Sequence, residues 1–254
     1  MPQSDDPFAA WFGALEARHL ARLTIPEVRR GLQALSALYV ERRQRLPAGA
    51  ALGGEGKRAA FALYYAPLHF LVTRHVVREL GAARPAPRLV VDLGCGTGPA
   101  GAAWALEARG RCRVAGVDRS GWALDEARWT YAALGVDGRA ARGDVDRAEL
   151  PGRGGAVVAA FAVNEIAETA RGMLLARLLE AAGRGARVLV IEPIARRPLP
   201  WWDAWSAAFQ GRGGRDDSWR FSAERPQGLI LLGRAARLDQ RELTARSLYL
   251  APPM

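Results

Sequence analysis

The chain has 254 residues, with 36 basic against 26 acidic residues and a formal net charge of +10. Half of it is apolar and 24% is charged, an ordinary globular balance that excludes a disordered, collagenous or coiled-coil chain. The two cysteines, Cys95 and Cys112, are too few for a disulfide-dense scaffold or a four-cysteine metal site.

Met1 to Asp6 is acidic and carries no apolar secretory run. The most apolar stretch, 61–77, is interrupted by Pro67, His69, Arg74 and His75. It is also shorter than the roughly 20 residues a membrane helix needs. The expectation is a soluble protein of the reducing cytoplasm, with no membrane contact. The basic balance points to a polyanionic partner. Lys57 is the only lysine, so 35 of the basic residues are arginine. With the abundant alanine this reads as GC-rich codon bias, and arginine abundance alone is then no recognition signal.

Residues 1–82 read as a helical N-terminal extension or lid, and 83–254 as the main domain. Thr24-Ile25-Pro26-Glu27 fits a capping box. Val28, Leu32, Leu35 and Tyr39 follow at helical spacing, with Arg29, Arg30, Arg42, Arg43 and Arg45 mostly off that stripe. After a small-residue loop over 47–56, an apolar helix is predicted from Lys57 to Leu80, kinked or split by Pro67. A proline-bearing linker over 81–88 ends the helical part.

Strands are then predicted at 89–93, 112–117, 139–142, 156–163 and 187–192, with helices at 99–109, 121–134 and 170–182. That alternation implies a doubly wound, mainly parallel sheet. Further on, 201–209 reads as a helix, 211–218 as a polar glycine-rich loop, 227–238 as helix or strand, and 242–250 as a final strand.

The most informative segment is Asp92-Leu93-Gly94-Cys95-Gly96-Thr97-Gly98-Pro99, between a strand and a helix. Its glycines let the backbone turn tightly and approach a ligand, and in a doubly wound sheet the loop lies at the ligand-binding edge. Gly96, Gly98 and Gly101 also fit the dinucleotide fingerprint. That ligand needs helix amides facing a pyrophosphate, whereas Pro99 removes one donor and Asp92 brings a negative charge. A carboxylate there suits a cationic ligand such as S-adenosylmethionine. Gly53 to Arg58 hints at a phosphate loop, but Ala51 and Arg58 break its pattern and no strand precedes it.

The segment resembles the D-x-G-x-G-x-G motif of class I S-adenosylmethionine-dependent methyltransferases. The resemblance implies a Rossmann-like, seven-stranded sheet with a reversed final hairpin, and a cofactor site at Asp92, Gly94, Cys95, Gly96 and Gly98. Asp118, ending the second strand, is placed to accept hydrogen bonds from both ribose hydroxyls. Asp144, after the third, matches the family's adenine-contacting position. Asn164 and Glu165 follow the fourth strand, where the family's active-site loop lies.

Neither cysteine is on the substrate side, so an attacking thiolate is not expected. The Asn164-Glu165-Ile166-Ala167 turn lacks the paired prolines typical of exocyclic-amine methylation. His69 and His75 read as packing or surface residues. Tyr64, Asn164 and Glu165 are the substrate-side candidates, with core packing and helix capping as the alternatives; no general base is assigned.

The flanks, Thr24 to Leu46, Arg58 to Pro67, Asn164-Glu165-Ile166, Ile191-Glu192-Pro193 and Ser218 to Ser222, resemble the family of the mitochondrial small-ribosomal-subunit methyltransferase-like protein. That resemblance implies action on or beside ribosomal RNA of the small subunit. It departs in one respect: the family's iron–sulfur cysteines are missing, and Arg220 stands where a Cys-His pair is expected, so no metal is expected. Arg196, Arg197, Arg212, Arg215, Arg220 and Arg225 then form a possible substrate rim, with Trp201, Trp202 and Trp205 either stacking bases or burying against the sheet. Two other readings stay open: a non-catalytic ribosome-assembly factor, and a small-molecule methyltransferase.

Overall fold

A computed structural model describes residues 6–41, 52–194, 199–238 and 241–252. Arg42, Arg43, Arg45, Arg196 and Arg197, the acidic start over 1–5 and residues 47–51 of the 47–56 loop lie outside the described residues.

By its internal contacts the chain divides into two units, Met1–Leu68 with Ser222–Leu243, and His69–Phe221 with Thr244–Met254. The first is helical. It holds α1 (Pro7–Leu20), α2 (Ile25–Glu41), α3 (Glu55–Ala60) and α9 (Gln227–Ala235). Asp6 caps α1 by accepting from the Phe8 amide at 3.1 Å. At α2 half of the expected capping box forms. Glu27 Oε2 accepts from the Thr24 amide at 2.8 Å, and the Thr24 hydroxyl turns to the same carboxylate at 2.7 Å.

Helix α2 meets α3 backbone to backbone: a Cβ on Gly31 would stand 2.2 Å from the Gly56 carbonyl oxygen. The predicted Lys57–Leu80 helix is not simply kinked at Pro67. A π-helical turn, Phe61–Tyr65, joins α3 to α4 (Ala66–Glu79), and the Ala66 amide reaches back to the Phe61 carbonyl. The wide turn ends just before Pro67, the residue with no amide to donate.

The second unit is built on a seven-stranded sheet in the order β3-β2-β1-β4-β5-β7-β6. The strands are β1 (Leu89–Leu93), β2 (Arg113–Asp118), β3 (Gly138–Arg142), β4 (Gly155–Ala160), β5 (Arg187–Glu192), β6 (Arg215–Phe221) and β7 (Leu243–Leu250). The first five pair in parallel, and β7 runs antiparallel to β5. The intervening helices are α5 (Pro99–Glu107), α6 (Gly121–Ala133), α7 (Glu168–Gly183) and α8 (Trp202–Gln210).

Strands β1, β4 and β5 are nearly continuous apolar runs, as expected of strands covered on both faces. One face packs Leu174, Leu178, Trp202, Trp205 and Phe209 of α7 and α8 onto Val157, Val188 and Leu248.

Two sequence expectations are corrected and one open choice is resolved. The strand predicted to Val163 stops at Ala160, and Val163–Glu165 is a 3-10 turn. The predicted 211–218 loop contains the start of β6. The open choice at 227–238 resolves as helix α9.

Candidate cofactor site

The site residues gather at the carboxyl ends of β1 to β4. The glycine loop needs glycine for its conformation: φ is +68° at Gly94, +51° at Gly96 and +84° at Gly98. It also needs glycine for space. A Cβ on Gly94 would lie 2.6 Å from the Ala162 Cβ, and one on Gly98 would lie 2.8 Å from the Tyr131 ring. The loop's amides pin it to β2, with those of Gly94 and Cys95 donating to the Val117 carbonyl at 2.9 and 3.1 Å.

Asp92 is 1% exposed. The sequence argument sets its carboxylate beside a cationic ligand; in the structure it is sealed inside, with Oδ2 accepting from the Gly101 amide at 2.8 Å. Gly101 lies in the first turn of α5, whose N-cap is Gly98, a residue with no side chain to offer. A strand carboxylate therefore satisfies a helix amide that its own cap cannot. Gly101 permits the approach, because a Cβ there would stand 2.9 Å from Asp92 Oδ2. Burial pushes the Asp92 carboxyl up to about 7, against the pull of the Gly101 amide and with the Asp118 charge adding to the rise.

Asp118 ends β2 half-buried. Its Oδ2 accepts from the Gly96 amide at 2.9 Å and its Oδ1 from the Ser120 amide at 2.8 Å. Ser120 in turn caps α6 by accepting from the Ala123 amide at 3.3 Å. Each Asp118 oxygen keeps lone-pair capacity after one amide bond. Asp144 is brought alongside, since the Gly143 amide donates to the Asp118 carbonyl at 3.1 Å. The Asp144 carboxylate is paired with Arg119 Nε at 2.6 Å.

Cys95 is buried within the loop and packs with Tyr131 beneath Gly116. Burial, and then the charges of Asp92 and Asp118, push its thiol well up, so it is a protonated packing group rather than a nucleophile.

The turn after β4 carries Asn164, half-buried, and Glu165, exposed. The Asn164 amide donates to Glu192 Oε1 at 3.2 Å. Phe161, at the start of the turn, has φ +59° and stacks on His69 with ring centroids 3.9 Å apart. Desolvation pushes the His69 imidazole down to about 3, so it is neutral and a poor base at ordinary pH.

Tyr64 belongs to the helical unit. It is 5% exposed and its hydroxyl donates to the Leu238 carbonyl at 2.5 Å, which matches the packing alternative. Of the two readings of the tryptophans, burial is the one found: Trp201, Trp202 and Trp205 are 8%, 0% and 3% exposed. Of the rim arginines, Arg212 donates to the Leu179 carbonyl and Arg215 is held by Asp217. Sequence reasoning missed Glu192 and Phe161, whose partners lie 28 and 92 positions away. Among the described residues no three His, Cys, Asp or Glu side chains converge on a metal-sized space, and no helix is long and apolar enough to cross a membrane.

Residues 90–185 match the model of a family described as a methyltransferase domain. No curated protein matches the sequence. Among solved structures, a Nostoc punctiforme protein described as a candidate O-methyltransferase superposes with a TM-score of 0.54 at 15% identity, covering 92% of this chain and 71% of its own. The plantazolicin methyltransferase BpumL, solved in complex with SAH, gives 0.53 at 11% identity over 90% and 98%. The mitomycin 7-O-methyltransferase MmcR gives 0.50 at 16% identity over 97% and 73%. The sheet is that of the Rossmann-like class I methyltransferase fold.

Proposed function

We propose that this chain, whose residues 90–185 match a methyltransferase domain, is an S-adenosylmethionine-dependent methyltransferase that acts on RNA of the small ribosomal subunit or on a component bound to it. S-adenosylmethionine is the cofactor, and the residues present fit it. The loop glycines leave no side chain in the way, and Asp118 offers two half-buried carboxylate oxygens suited to a vicinal diol. Gly94, Gly96 and Asp118 are its holders, with Asp144 at the adjoining strand end. When bound, the group supplies a methyl already activated on a sulfonium, so the chain's task is to orient the acceptor.

The observation that carries the RNA reading is the net charge of +10, together with exposed arginines on the helical unit, Arg22, Arg29, Arg30, Arg237 and Arg241. Such charge favours a polyanion through counterion release. Calorimetry with S-adenosylmethionine and its demethylated product tests the cofactor, and absence of binding by either at millimolar concentration refutes it. Labelled methyl transfer to small-subunit RNA, with affinity falling steeply between low and moderate salt, tests the acceptor. Salt-insensitive binding, or transfer to small metabolites alone, refutes that part. One observation favours a second reading, a cofactor-binding assembly factor without catalysis: the turn after β4 lacks the paired prolines. Transfer above background decides against it.

A further inference from the structure

The turn leaving β4 is held more firmly than a surface connection needs. Phe161 adopts a left-handed conformation, φ +59°, which a bulky residue keeps only when its surroundings impose it. Its amide donates to the Ile191 carbonyl at 2.8 Å, and its ring lies flat against His69, with 12° between the planes. Ala162 abuts Gly94 of the glycine loop. Two residues on, the Asn164 amide meets Glu192 Oε1 at 3.2 Å.

Glu192 is the last residue of β5 and is 1% exposed. A carboxylate sealed at a strand end is unfavourable unless it accepts hydrogen bonds or faces a cation. Its register partner on β7 is Arg246. The Arg246 guanidinium carbon lies 3.9 Å over the Trp202 ring, and Trp202 Nε1 donates to Asp216 at 2.9 Å. Polar groups thus lie at and beside the end of β5, and Glu192 reaches the turn through the Asn164 amide.

From this geometry we propose that Glu192 is a positioning residue for the acceptor side. Through the Asn164 backbone amide it fixes the 161–165 turn against the glycine loop. Its role in transfer rests on the methyltransferase reading; the hydrogen bond itself does not. In-line transfer tolerates little drift of the groups that orient an acceptor, and an amide bond to a buried carboxyl oxygen is a firm way to prevent it.

The test is amide hydrogen exchange by NMR in the wild type, Glu192→Leu and Glu192→Gln, with S-adenosylmethionine affinity measured in parallel. Loss of the acceptor in Glu192→Leu should speed exchange at Asn164 and its neighbours by about tenfold or more, while 188–191 stays within about twofold. Glu192→Gln keeps an acceptor oxygen and should restore protection. Unchanged Asn164 exchange in Glu192→Leu, or acceleration spread evenly along β5 and β7, overturns the proposal. If Glu192→Leu does not fold, the Asn164 amide proton in Glu192→Gln decides: exchanging the carboxyl acceptor for an amide oxygen shifts its resonance selectively, and no shift overturns the proposal. A wild type that binds no S-adenosylmethionine overturns the cofactor reading instead, and the exchange data still judge Glu192.

Discussion

Asp92→Asn is a perturbation whose sign follows from burial. In the unfolded chain this carboxyl has its ordinary value near 3.8, and in the folded protein burial raises it to about 7. Between those values the unfolded chain has released its proton and the native protein has kept it. Native stability therefore falls as pH rises from about 4 to about 7 and is level above that. A displacement of about 3 pH units at 1.36 kcal/mol each sets a ceiling of about 4 kcal/mol. Relaxation around the charge brings the expected effect to about 2–4 kcal/mol, or about 4–12 °C in Tm for a chain of this size. Asparagine keeps an oxygen for the Gly101 amide and cannot ionise. The Tm of Asp92→Asn minus that of the wild type should therefore climb between pH 4 and 7 and plateau at pH 8. Calorimetric scans of both proteins in matched buffers read this directly. A difference that is flat with pH, or that shrinks as pH rises, refutes the placement of a buried carboxylate beneath the loop.

Gly98→Ala combines a φ of +84° with a Cβ 2.8 Å from the Tyr131 ring. It should destabilise the sheet unit by about 1–3 kcal/mol, and calorimetry should show weaker S-adenosylmethionine binding. Asp118→Ala removes the acceptors for the Gly96 and Ser120 amides along with the carboxylate proposed to hold the diol. Cofactor affinity should drop at least about tenfold, equivalent to about 1.4 kcal/mol. Gly31→Ala drives a methyl to within 2.2 Å of the Gly56 carbonyl. Overpacking of about 1–3 kcal/mol should speed amide exchange in α2 and α3 and spare β4 and β5; equal protection in both proteins counts against this close approach.

What the sequence showed best was what packing makes redundant. β1 and β5 were legible end to end because a strand buried on both faces is an uninterrupted apolar run. The acids at Asp118 and Asp144 were legible because their place at strand ends depends on local chain order alone. The reading erred where a tertiary contact decides. Phe161-Ala162-Val163 is apolar enough to continue β4, yet Phe161 turns left-handed against His69 and pairing stops. β6 is polar because it sits at the sheet edge, so Arg215 to Ser218 reads as a loop. At 227–238 an apolar run bounded by Pro226 fits helix or strand, and only packing within the helical unit selects α9. The inward turn of Asp92 was hidden for a related reason: its partner is an amide created by the next helix.

The arginines show why net charge and phosphate grip are separate quantities. Arg128 donates to the Ala140 carbonyl and Arg184 to that of Leu150. Arg177 reaches the carbonyls of both Asp146 and Ala148, bracing the 143–154 connection onto α7. A forked guanidinium can hold two carbonyls at once, which an ammonium does less well. A carbonyl does not neutralise the cation it accepts from, so these residues still contribute to the field that draws a polyanion toward the protein. They are no longer free to follow a phosphate. The total charge should therefore govern how strongly association speeds up at low salt. Close approach to phosphate, and with it the salt slope of the equilibrium constant, should come from exposed side chains such as Arg22, Arg29 and Arg30. Replacing that trio by glutamine should reduce the slope by about 0.7 for each phosphate left unneutralised on single-stranded RNA. Replacing Arg177, by contrast, should loosen α7 and leave the slope nearly unchanged. The reverse pattern would mean that the acceptor meets the sheet unit rather than the helices.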